Sequence, residues 1–319
     1  MNSSKSLRIV FAGTSQFSYE FLYALLESRH VVVGILANPD RFSGRGHKIK
    51  FSPVKKLAKY YNIKILQPDS TESLDNLEND LKKMRCDIII VVSYSIILSK
   101  KILSLPRLGC INLHSSLLPR WRGAAPIHRA LQSGDKTTGI TIIKMNDEID
   151  TGPILYKRVC SIQDTDTTET LLNKLSIIGK AAIIQLLHQI SIGKYNLQYQ
   201  NNSIATYAKK INKKEAKINW NLPAINIDRN IRAFNPWPVS YFWISGKYIR
   251  AWKAKIDINN IFISDPGKIL NVNSDGIHVG TGKGILILEV LQLSGKKRSF
   301  VKESLCLYKK LFITGNIIQ

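Results

Sequence analysis

The 319-residue chain is poor in cysteine, and its cysteines are not paired. The four cysteines include no pair at CxxC spacing, and none of the six histidines stands at metal-binding spacing from a cysteine or another histidine. A chain of this length can bury a stable core without disulfides. We therefore expect reduced cysteines, a cytoplasmic protein and no bound metal.

Long apolar runs are also missing. The run Ile88–Val92 ends at Ser93, well short of the roughly 20 apolar residues that a membrane-spanning helix needs. A strand-like segment begins at Leu7 with no apolar leader before it. We expect no membrane contact and no signal segment.

Acidic residues are scarce: 23 Asp and Glu stand against 46 Lys and Arg, a net charge of +23. The excess is denser towards the end, where residues 205–319 contain 19 basic and 7 acidic residues. Such a balance favours a polyanionic partner, because lysine and arginine neutralise phosphates and release counterions. A merely solvated lysine-rich surface would give the same count, so charge alone leaves both interpretations open.

Glycines are missing from the turn where a dinucleotide-binding protein needs them. The turn after the first predicted strand contains Gly13 alone, whereas the dinucleotide fingerprint has three glycines. We therefore expect no NAD and disfavour an oxidoreductase.

Strand-like and helical patterns alternate through the first part of the chain. Apolar segments such as Leu7–Ala12, Val31–Ala37 and Gly109–His114 are separated by helical patterns, and Thr167–Gly193 has the pattern of a long helix. This alternation predicts an α/β fold with a doubly wound, parallel, Rossmann-like sheet.

The pattern changes after a polar stretch. Short strand-like segments between Val239 and Leu293 are separated by glycine-containing turns, which predicts a second, smaller antiparallel β-barrel of the oligonucleotide-binding (OB) type. We place the first domain at residues 1–193, a linker at 194–208 and the basic barrel at 209–319.

Unusual polar residues cluster at the end of one predicted strand. Asn112 and His114 alternate with apolar neighbours and should lie on one face, and ligands of such sheets bind beyond the carboxyl ends of the strands. An amide donor and an imidazole suit acyl transfer, and Asp150, before a Thr-Gly-Pro turn, can orient the histidine. A strand end with a hydrogen-bonded structural histidine would give the same pattern.

An ordered set of motifs resembles the folate-dependent formyltransferases, and among them those that act on methionyl-tRNA. The motifs are Asn112-x-His114, Ser116–Pro119, Arg120–Gly123 and Asp150–Gly152. The similarity extends over nearly the whole chain through Phe11–Thr14, Pro39–Arg41, Ser52–Lys55 and Ala233–Pro238.

The resemblance implies a role for each matching position. It implies 10-formyltetrahydrofolate as formyl donor, methionyl-initiator tRNA as partner and a monomer without an obligate protein partner. The implied site residues are the catalytic Asn112, His114 and Asp150, the folate-binding Ser116, Leu117, Leu118 and Pro119, the tRNA-binding loop residues Arg41, Arg45 and Lys48, and the tRNA-backbone contacts Lys209, Lys210 and Lys213.

One departure from the family and three alternatives remain at this point. Ser115 stands where the family usually has glycine, which raises the question whether that backbone needs a positive φ. The same chemistry on glycinamide ribonucleotide or on an amino-sugar nucleotide would use similar motifs. A non-catalytic RNA-binding protein would share the basic second domain.

Overall fold

The structure is a computed structural model that describes residues 5–43, 48–257 and 265–318. The chain divides into two compact units. The first unit comprises Met1–Pro126, Thr137–Ser161 and Leu172–Ala208, and the second comprises Ile127–Lys136, Ile162–Leu171 and Lys209–Gln319. The predicted bounds of 1–193, 194–208 and 209–319 stay predictions, but two segments of the predicted first domain lie in the second unit.

The strands and helices of the described residues are numbered in chain order. The strands are β1 (Arg8–Gly13), β2 (Val31–Leu36), β3 (Arg41–Ser43), β4 (Lys48–Lys50), β5 (Ile65–Leu66), β6 (Ile88–Val92), β7 (Cys110–His114), β8 (Arg122–Gly123), β9 (Thr137–Lys144), β10 (Ile154–Ser161), β11 (Tyr207–Ala208), β12 (Ser240–Ile244), β13 (Lys247–Asp257), β14 (Ile269–Asn273), β15 (Gly276–Gly280), β16 (Ile285–Leu293) and β17 (Ser299–Phe300). The α-helices are α1 (Gln16–Leu26), α2 (Pro53–Tyr60), α3 (Thr71–Asp75), α4 (Glu78–Met84), α5 (Lys100–Leu103), α6 (Pro126–Ser133), α7 (Thr168–Ser191), α8 (Ala224–Ala233) and α9 (Leu305–Leu311).

A seven-stranded sheet forms the centre of the first unit, with strand order β10-β9-β7-β6-β1-β2-β5. Strands β7, β6, β1, β2 and β5 are parallel, whereas β9 runs antiparallel to β7 and β10 antiparallel to β9. Strands β1 and β6 are almost entirely apolar and buried, as expected of parallel strands that are covered on both faces. Because β6 and β7 are parallel neighbours, their carboxyl ends lie side by side.

Helices α1, α2, α3 and α5 of the first unit each begin at a serine cap. The Ser15 Oγ accepts the backbone N–H of Ser18 at 3.1 Å, and the Ser52 Oγ accepts the N–H of Lys55 at 3.1 Å. Pro53 follows as the first residue of α2, where a missing N–H costs nothing. Ser52 and Pro53 thus together define the start of α2.

Helix α7 is long and apolar enough to cross a membrane by length and composition alone. It carries a buried stripe at Leu171, Leu175, Ala182, Ile183, Leu186 and Leu187. A stripe of this period is also what the core helix of a globular protein has. Within the first unit the helix approaches α1 closely, because a Cβ added at Gly179 would lie 2.7 Å from the Phe21 ring.

An antiparallel sheet forms the second unit, with strand order β12-β13-β16-β15-β14 and β17 beside β16. Helix α8 buries Ala224, Ile227 and Ile231 in the same apolar core as the sheet; their i, i+3 and i+7 spacing makes one helical face. Trp220 and Phe242 meet edge to face in this core, with ring centroids 5.7 Å apart.

Two segments from earlier in the sequence complete the second unit. From one of them, Arg129 forms an ion pair with Glu215 at 2.7 Å. From the other, the Thr168 hydroxyl donates to the carbonyl of Ala233 at 2.6 Å. The second unit therefore depends on residues that the sequence places within the first domain.

The predicted fold class, a Rossmann-like α/β domain followed by a smaller antiparallel β domain, is confirmed. Three local features differ from the prediction. The stretch Asn38–Lys50, expected as a loop, contains the hairpin β3–β4; β9 is antiparallel; and α8 was not predicted. Periodicity identifies a strand but not its direction.

We predict that Phe242→Ala lowers the free energy of unfolding by about 3–5 kcal/mol, because it leaves a large cavity in a packed core. Phe242 is fully buried and lies 5.7 Å from the Trp220 ring and 6.1 Å from the Phe312 ring. Urea denaturation followed by circular dichroism measures the change. The matched control is Trp243→Ala, because Trp243 follows on the same strand and is 41% exposed. Equal losses in the two variants would contradict this assignment of the core.

Candidate active site

Asn112 and His114 lie on β7 at the carboxyl end of the parallel strands. Asn112 is half-buried and His114 is buried. Strand β7 is held between β6 and β9, with Val91 opposite Asn112 on one side and Ile143 opposite it on the other. The alternation of the strand directs both polar side chains towards the same neighbour, as the sequence predicted.

That neighbour is Asp150, in the turn between β9 and β10. Its φ of +57° is in the left-handed region, which costs a non-glycine residue energy and often marks a functional site. Gly152 allows the turn to approach β9, because a Cβ at this position would lie 1.8 Å from the Lys144 carbonyl oxygen. Asn146 and Thr151 close the turn with a hydrogen bond of 2.8 Å.

The Asp150 carboxylate joins three parts of the first unit. Its Oδ1 accepts a hydrogen bond from the Asn112 amide at 3.0 Å. Its Oδ2 accepts the backbone N–H of Gly123 at 2.8 Å and lies 3.4 Å from the Nδ1 of His114. The structure thus brings the amide, the imidazole and the carboxylate predicted from the sequence into one cluster.

The imidazole of His114 has an acceptor beside each nitrogen. Its Nε2 is 2.8 Å from the carbonyl oxygen of Trp121, and its Nδ1 faces Asp150. The neutral ring can donate to only one of these acceptors, whereas the doubly protonated ring can donate to both. Carbonyl and carboxylate together fix the orientation of the ring.

The stretch implied to bind folate follows β7 and divides into buried and accessible parts. The side chains of Ser116 and Leu118 are fully buried. The Ser116 hydroxyl donates to the Arg120 carbonyl at 2.6 Å, and Leu118 packs in a small apolar cluster. Only Leu117 and Pro119 are partly exposed. The Ser116 and Leu118 side chains offer no exposed surface, and the implied role of these four residues in folate binding stays a prediction.

Thr141 and Thr206, which the sequence analysis missed, hold this loop in place. The Thr141 hydroxyl donates to the Ser116 carbonyl at 2.6 Å and accepts the N–H of Leu118 at 3.1 Å. The Thr206 hydroxyl accepts the N–H of Trp121 at 2.9 Å. The Trp121 carbonyl is thereby presented to His114, at a backbone φ of +65°.

A buried arginine is the second feature that the sequence analysis missed. Arg122 is 2% exposed, and its Nη2 donates to the side-chain oxygens of Gln200 at 2.8 Å and Asn202 at 2.7 Å. The Gln200 amide in turn donates to the carbonyls of Asp150 and Gly152. No local pattern marks Gln200, since its partners are about fifty residues away in sequence.

Ser115 does not adopt a positive φ. The backbone at this position is therefore open to any L-residue, because only the left-handed region favours glycine. The serine in place of the family's usual glycine carries no backbone penalty.

The predicted tRNA-binding loop contains the hairpin β3–β4. Arg41 pairs with Lys50, and Ser43 pairs with Lys48, in its register; Arg45 lies outside the described residues. At the base of the hairpin, Asp40 forms an ion pair with Lys55. Burial opposes the ionisation of Asp40, but hydrogen bonds from Lys55 and Gln67 outweigh it and hold the pKa of this carboxyl below its usual range.

The three lysines predicted to contact the tRNA backbone lie in the second unit. Lys209, Lys210 and Lys213 are all exposed. Arg129 donates to the Lys209 carbonyl at 3.1 Å, which anchors the start of this segment. The side chains are therefore available to an anion.

Within the described ranges, no group of three His, Cys, Asp or Glu side chains is arranged to hold a metal ion. The expectation of a metal-free protein stays a prediction.

We predict that Asp150→Ala destabilises the fold by about 1–3 kcal/mol, because it removes the acceptor of the Gly123 N–H and leaves this donor unsatisfied. The amide hydrogen of Gly123 should exchange with solvent faster. Urea denaturation and hydrogen exchange measure the two effects. The control is Asp147→Ala in the same turn, because that side chain is 52% exposed and pairs with Lys100 at the surface. Unchanged Gly123 exchange in Asp150→Ala would contradict the geometry.

Solved structures of similar fold include HypX and two proteins described as formyltransferases. HypX from Aquifex aeolicus in complex with tetrahydrofolic acid is 13% identical, with a TM-score of 0.65, and the match covers 96% of this chain but 48% of HypX. WlaRD, a sugar 3N-formyl transferase in the presence of dTDP and 5-N-formyl-THF, is 20% identical, with a TM-score of 0.66. This match covers 92% of this chain and 100% of WlaRD. The N-formyltransferase from Helicobacter canadensis in complex with folinic acid and dTDP-3-aminofucose is 19% identical, with a TM-score of 0.66. This match covers 88% of this chain and 99% of the Helicobacter protein.

These likenesses establish the fold, and the chain spans about half the length of the HypX structures that it matches. The family is established by sequence. Residues 210–308 match the family described as formyl transferase, C-terminal domain. Residues 7–187, more than half of the chain, match the family described as formyl transferase. The chain therefore belongs to the formyl transferase family.

Proposed function

We propose that this protein transfers the formyl group of 10-formyltetrahydrofolate to the α-amine of methionyl-initiator tRNA, giving N-formylmethionyl-tRNA for translation initiation. The observation that carries the proposal is the contact of Asn112, His114 and Asp150 at the carboxyl end of β7. An amide donor, an imidazole and a carboxylate are the groups that acyl transfer to an amine needs.

A reduced folate as formyl donor is supported by the family and by its relatives. HypX is described with tetrahydrofolic acid and WlaRD with 5-N-formyl-THF. In this chain the Leu117 and Pro119 side chains are partly exposed directly after β7. They offer apolar surface beside the reacting groups, as a flat ring system requires.

The reaction needs stabilisation of an oxyanion. The amine nitrogen attacks the formyl carbon, and the carbonyl oxygen becomes negative in the tetrahedral intermediate. Asn112 uses one N–H for Asp150, and its amide group carries a second donor. That second donor serves the oxyanion, which is the role of an oxyanion-hole amide.

The reaction also moves one proton. The new bond joins the amine nitrogen to the formyl carbon, the bond from that carbon to N10 of the folate breaks, and N10 takes up the proton that the amine releases. His114 relays the proton and, when doubly protonated, supplies the second oxyanion donor; Asp150 orients its ring and stabilises the charge. Donation by Nε2 to the substrate requires exchange of its hydrogen bond with the Trp121 carbonyl.

A tRNA acceptor is supported by charge. Of the net charge of +23, residues 205–319 carry 19 basic against 7 acidic residues, so the positive charge per residue is higher there than in the first 204 residues. The exposed Lys209, Lys210 and Lys213 stand at the start of this basic region. Phosphates of a folded RNA are the partner that such a surface neutralises best.

An amino-sugar nucleotide is the second candidate acceptor. The sugar 3N-formyl transferase WlaRD matches 92% of this chain, and the N-formyltransferase in complex with dTDP-3-aminofucose matches 88%. Because these matches include most of the chain, the length of the chain does not distinguish an amino-sugar nucleotide from tRNA as the acceptor. Glycinamide ribonucleotide is less supported, because the formyltransferase of that class from Bacillus halodurans covers 57% of this chain.

We expect the purified protein to form N-formylmethionine when it is incubated with 10-formyltetrahydrofolate and methionyl-initiator tRNA. An amino-sugar nucleotide at equal concentration serves as the competing acceptor, and mass spectrometry identifies the formylated product. Formylation of the sugar alone would replace the tRNA proposal with the second candidate.

Asn112→Ala should lower kcat by about 10²–10³-fold, because one oxyanion donor is lost. Asn79→Ala is the matched control, since Asn79 is exposed on α4 and does not belong to the cluster of Asn112, His114 and Asp150. Near-normal turnover in Asn112→Ala would refute the role assigned to this amide.

We expect the triple variant Lys209→Gln, Lys210→Gln and Lys213→Gln to weaken tRNA binding and to reduce the slope of log affinity against log salt by about 3, one for each lost phosphate contact. The control variant replaces Lys64, Lys136 and Lys268 by Gln. It removes the same charge, but each of these lysines is paired with a carboxylate. Equal slopes in the two triple variants would mean that net charge, and not this segment, governs binding.

A further inference from the structure

We infer that Gln200 is a positioning residue that holds Asp150 in its catalytic place. Nothing in the sequence pattern marks this residue, which lies in the segment predicted to be a linker. The inference rests on the proposed function, because it takes Asp150 as a catalytic group.

The Gln200 amide donates to both sides of the Asp150 turn. Its Nε2 is 2.8 Å from the carbonyl oxygen of Asp150 and 2.8 Å from that of Gly152. An amide NH₂ has two hydrogens, and both are used on the same turn. The two bonds therefore hold the backbone from the Asp150 carbonyl to the Gly152 carbonyl, directly after the side chain that meets Asn112 and His114.

The buried arginine fixes which way the Gln200 amide points. Its Oε1 accepts from the Nε of Arg122 at 3.2 Å and from the Nη2 at 2.8 Å. A flipped amide would direct its NH₂ at the guanidinium donors and its oxygen at the two carbonyls, with every contact unfavourable. Arg122 thus fixes the Gln200 side-chain amide in the orientation in which its NH₂ group donates to the Asp150 turn.

The Asp150 turn needs such support. The φ of Asp150 is +57°, a conformation that persists only where the surroundings hold it. The turn is also tied to the same segment at its end, where the backbones of Ile154 and Gln198 exchange hydrogen bonds of 2.7 and 2.9 Å. Loss of the Gln200 donors would leave the catalytic carboxylate free to shift relative to β7.

Two substitutions at Gln200 distinguish its two roles: donating to the Asp150 turn and accepting from Arg122. Gln200→Ala removes both functions, whereas Gln200→Glu keeps an acceptor for Arg122 and removes the donors to the Asp150 turn. Asn202→Ala is the matched control, because Asn202 also accepts from Arg122 but has no bond to the turn.

The kinetic test measures formyl transfer by these variants. We expect Gln200→Glu and Gln200→Ala each to lower kcat by about 10- to 100-fold, the range expected for a small misplacement of a catalytic group, with the KM for the formyl donor unchanged. In an Asp150→Asn background, Gln200→Glu should cause no further loss, because both changes act through the same carboxylate. Wild-type kcat in Gln200→Glu, or additive losses with Asp150→Asn, would overturn the inference.

The second measurement needs no substrate. The Gly123 amide hydrogen bonds to Asp150 Oδ2 at 2.8 Å, so its exchange with solvent reports the position of the carboxylate. We expect exchange about tenfold faster in Gln200→Glu, as for loss of one hydrogen bond, and unchanged in Asn202→Ala. Unchanged exchange in Gln200→Glu overturns the inference. A wild-type protein that does not formylate methionyl-tRNA would refute the acceptor instead and leave this readout intact.

Discussion

The Asp150 carboxylate is the interaction on which the arrangement of the site depends. It accepts from a side-chain amide on β7 and from a backbone N–H on β8, and it faces the imidazole at the end of β7. A nearly buried carboxylate left without these donors would be costly. The strand β7, the turn that contains Asp150 and the loop that contains Gly123 therefore stabilise one another.

The cluster of Asn112, His114 and Asp150 was accessible to sequence analysis because it is built from short motifs at the ends of regular elements. Alternation along β7 places Asn112 and His114 on one face, and the rule that ligands bind at the carboxyl ends of parallel strands points to the same edge. The apolar runs of β1 and β6 likewise predict a buried parallel sheet, which the structure contains.

What the sequence could not provide is contact over long separations. Gln200 has polar neighbours and lies in no periodic pattern. Its hydrogen bond to the Asp150 carbonyl becomes apparent only in the folded chain, because the two residues are far apart in sequence. The antiparallel direction of β9 could not be predicted for a related reason, since residue alternation is the same in parallel and antiparallel strands. Helix α8 is a different case: its buried Ala224, Ile227 and Ile231 have helical spacing, but the polar and β-branched residues between them weaken its local helical signal.

The second unit is not a contiguous stretch of the chain. It includes Ile127–Lys136 and Ile162–Leu171, and these segments supply Arg129 for Glu215 and Thr168 for the Ala233 carbonyl. A fragment that begins at Lys209 would lack both partners and expose the groups that they satisfy. A single genetic crossover between residues 193 and 209 would therefore not move this unit intact into another protein.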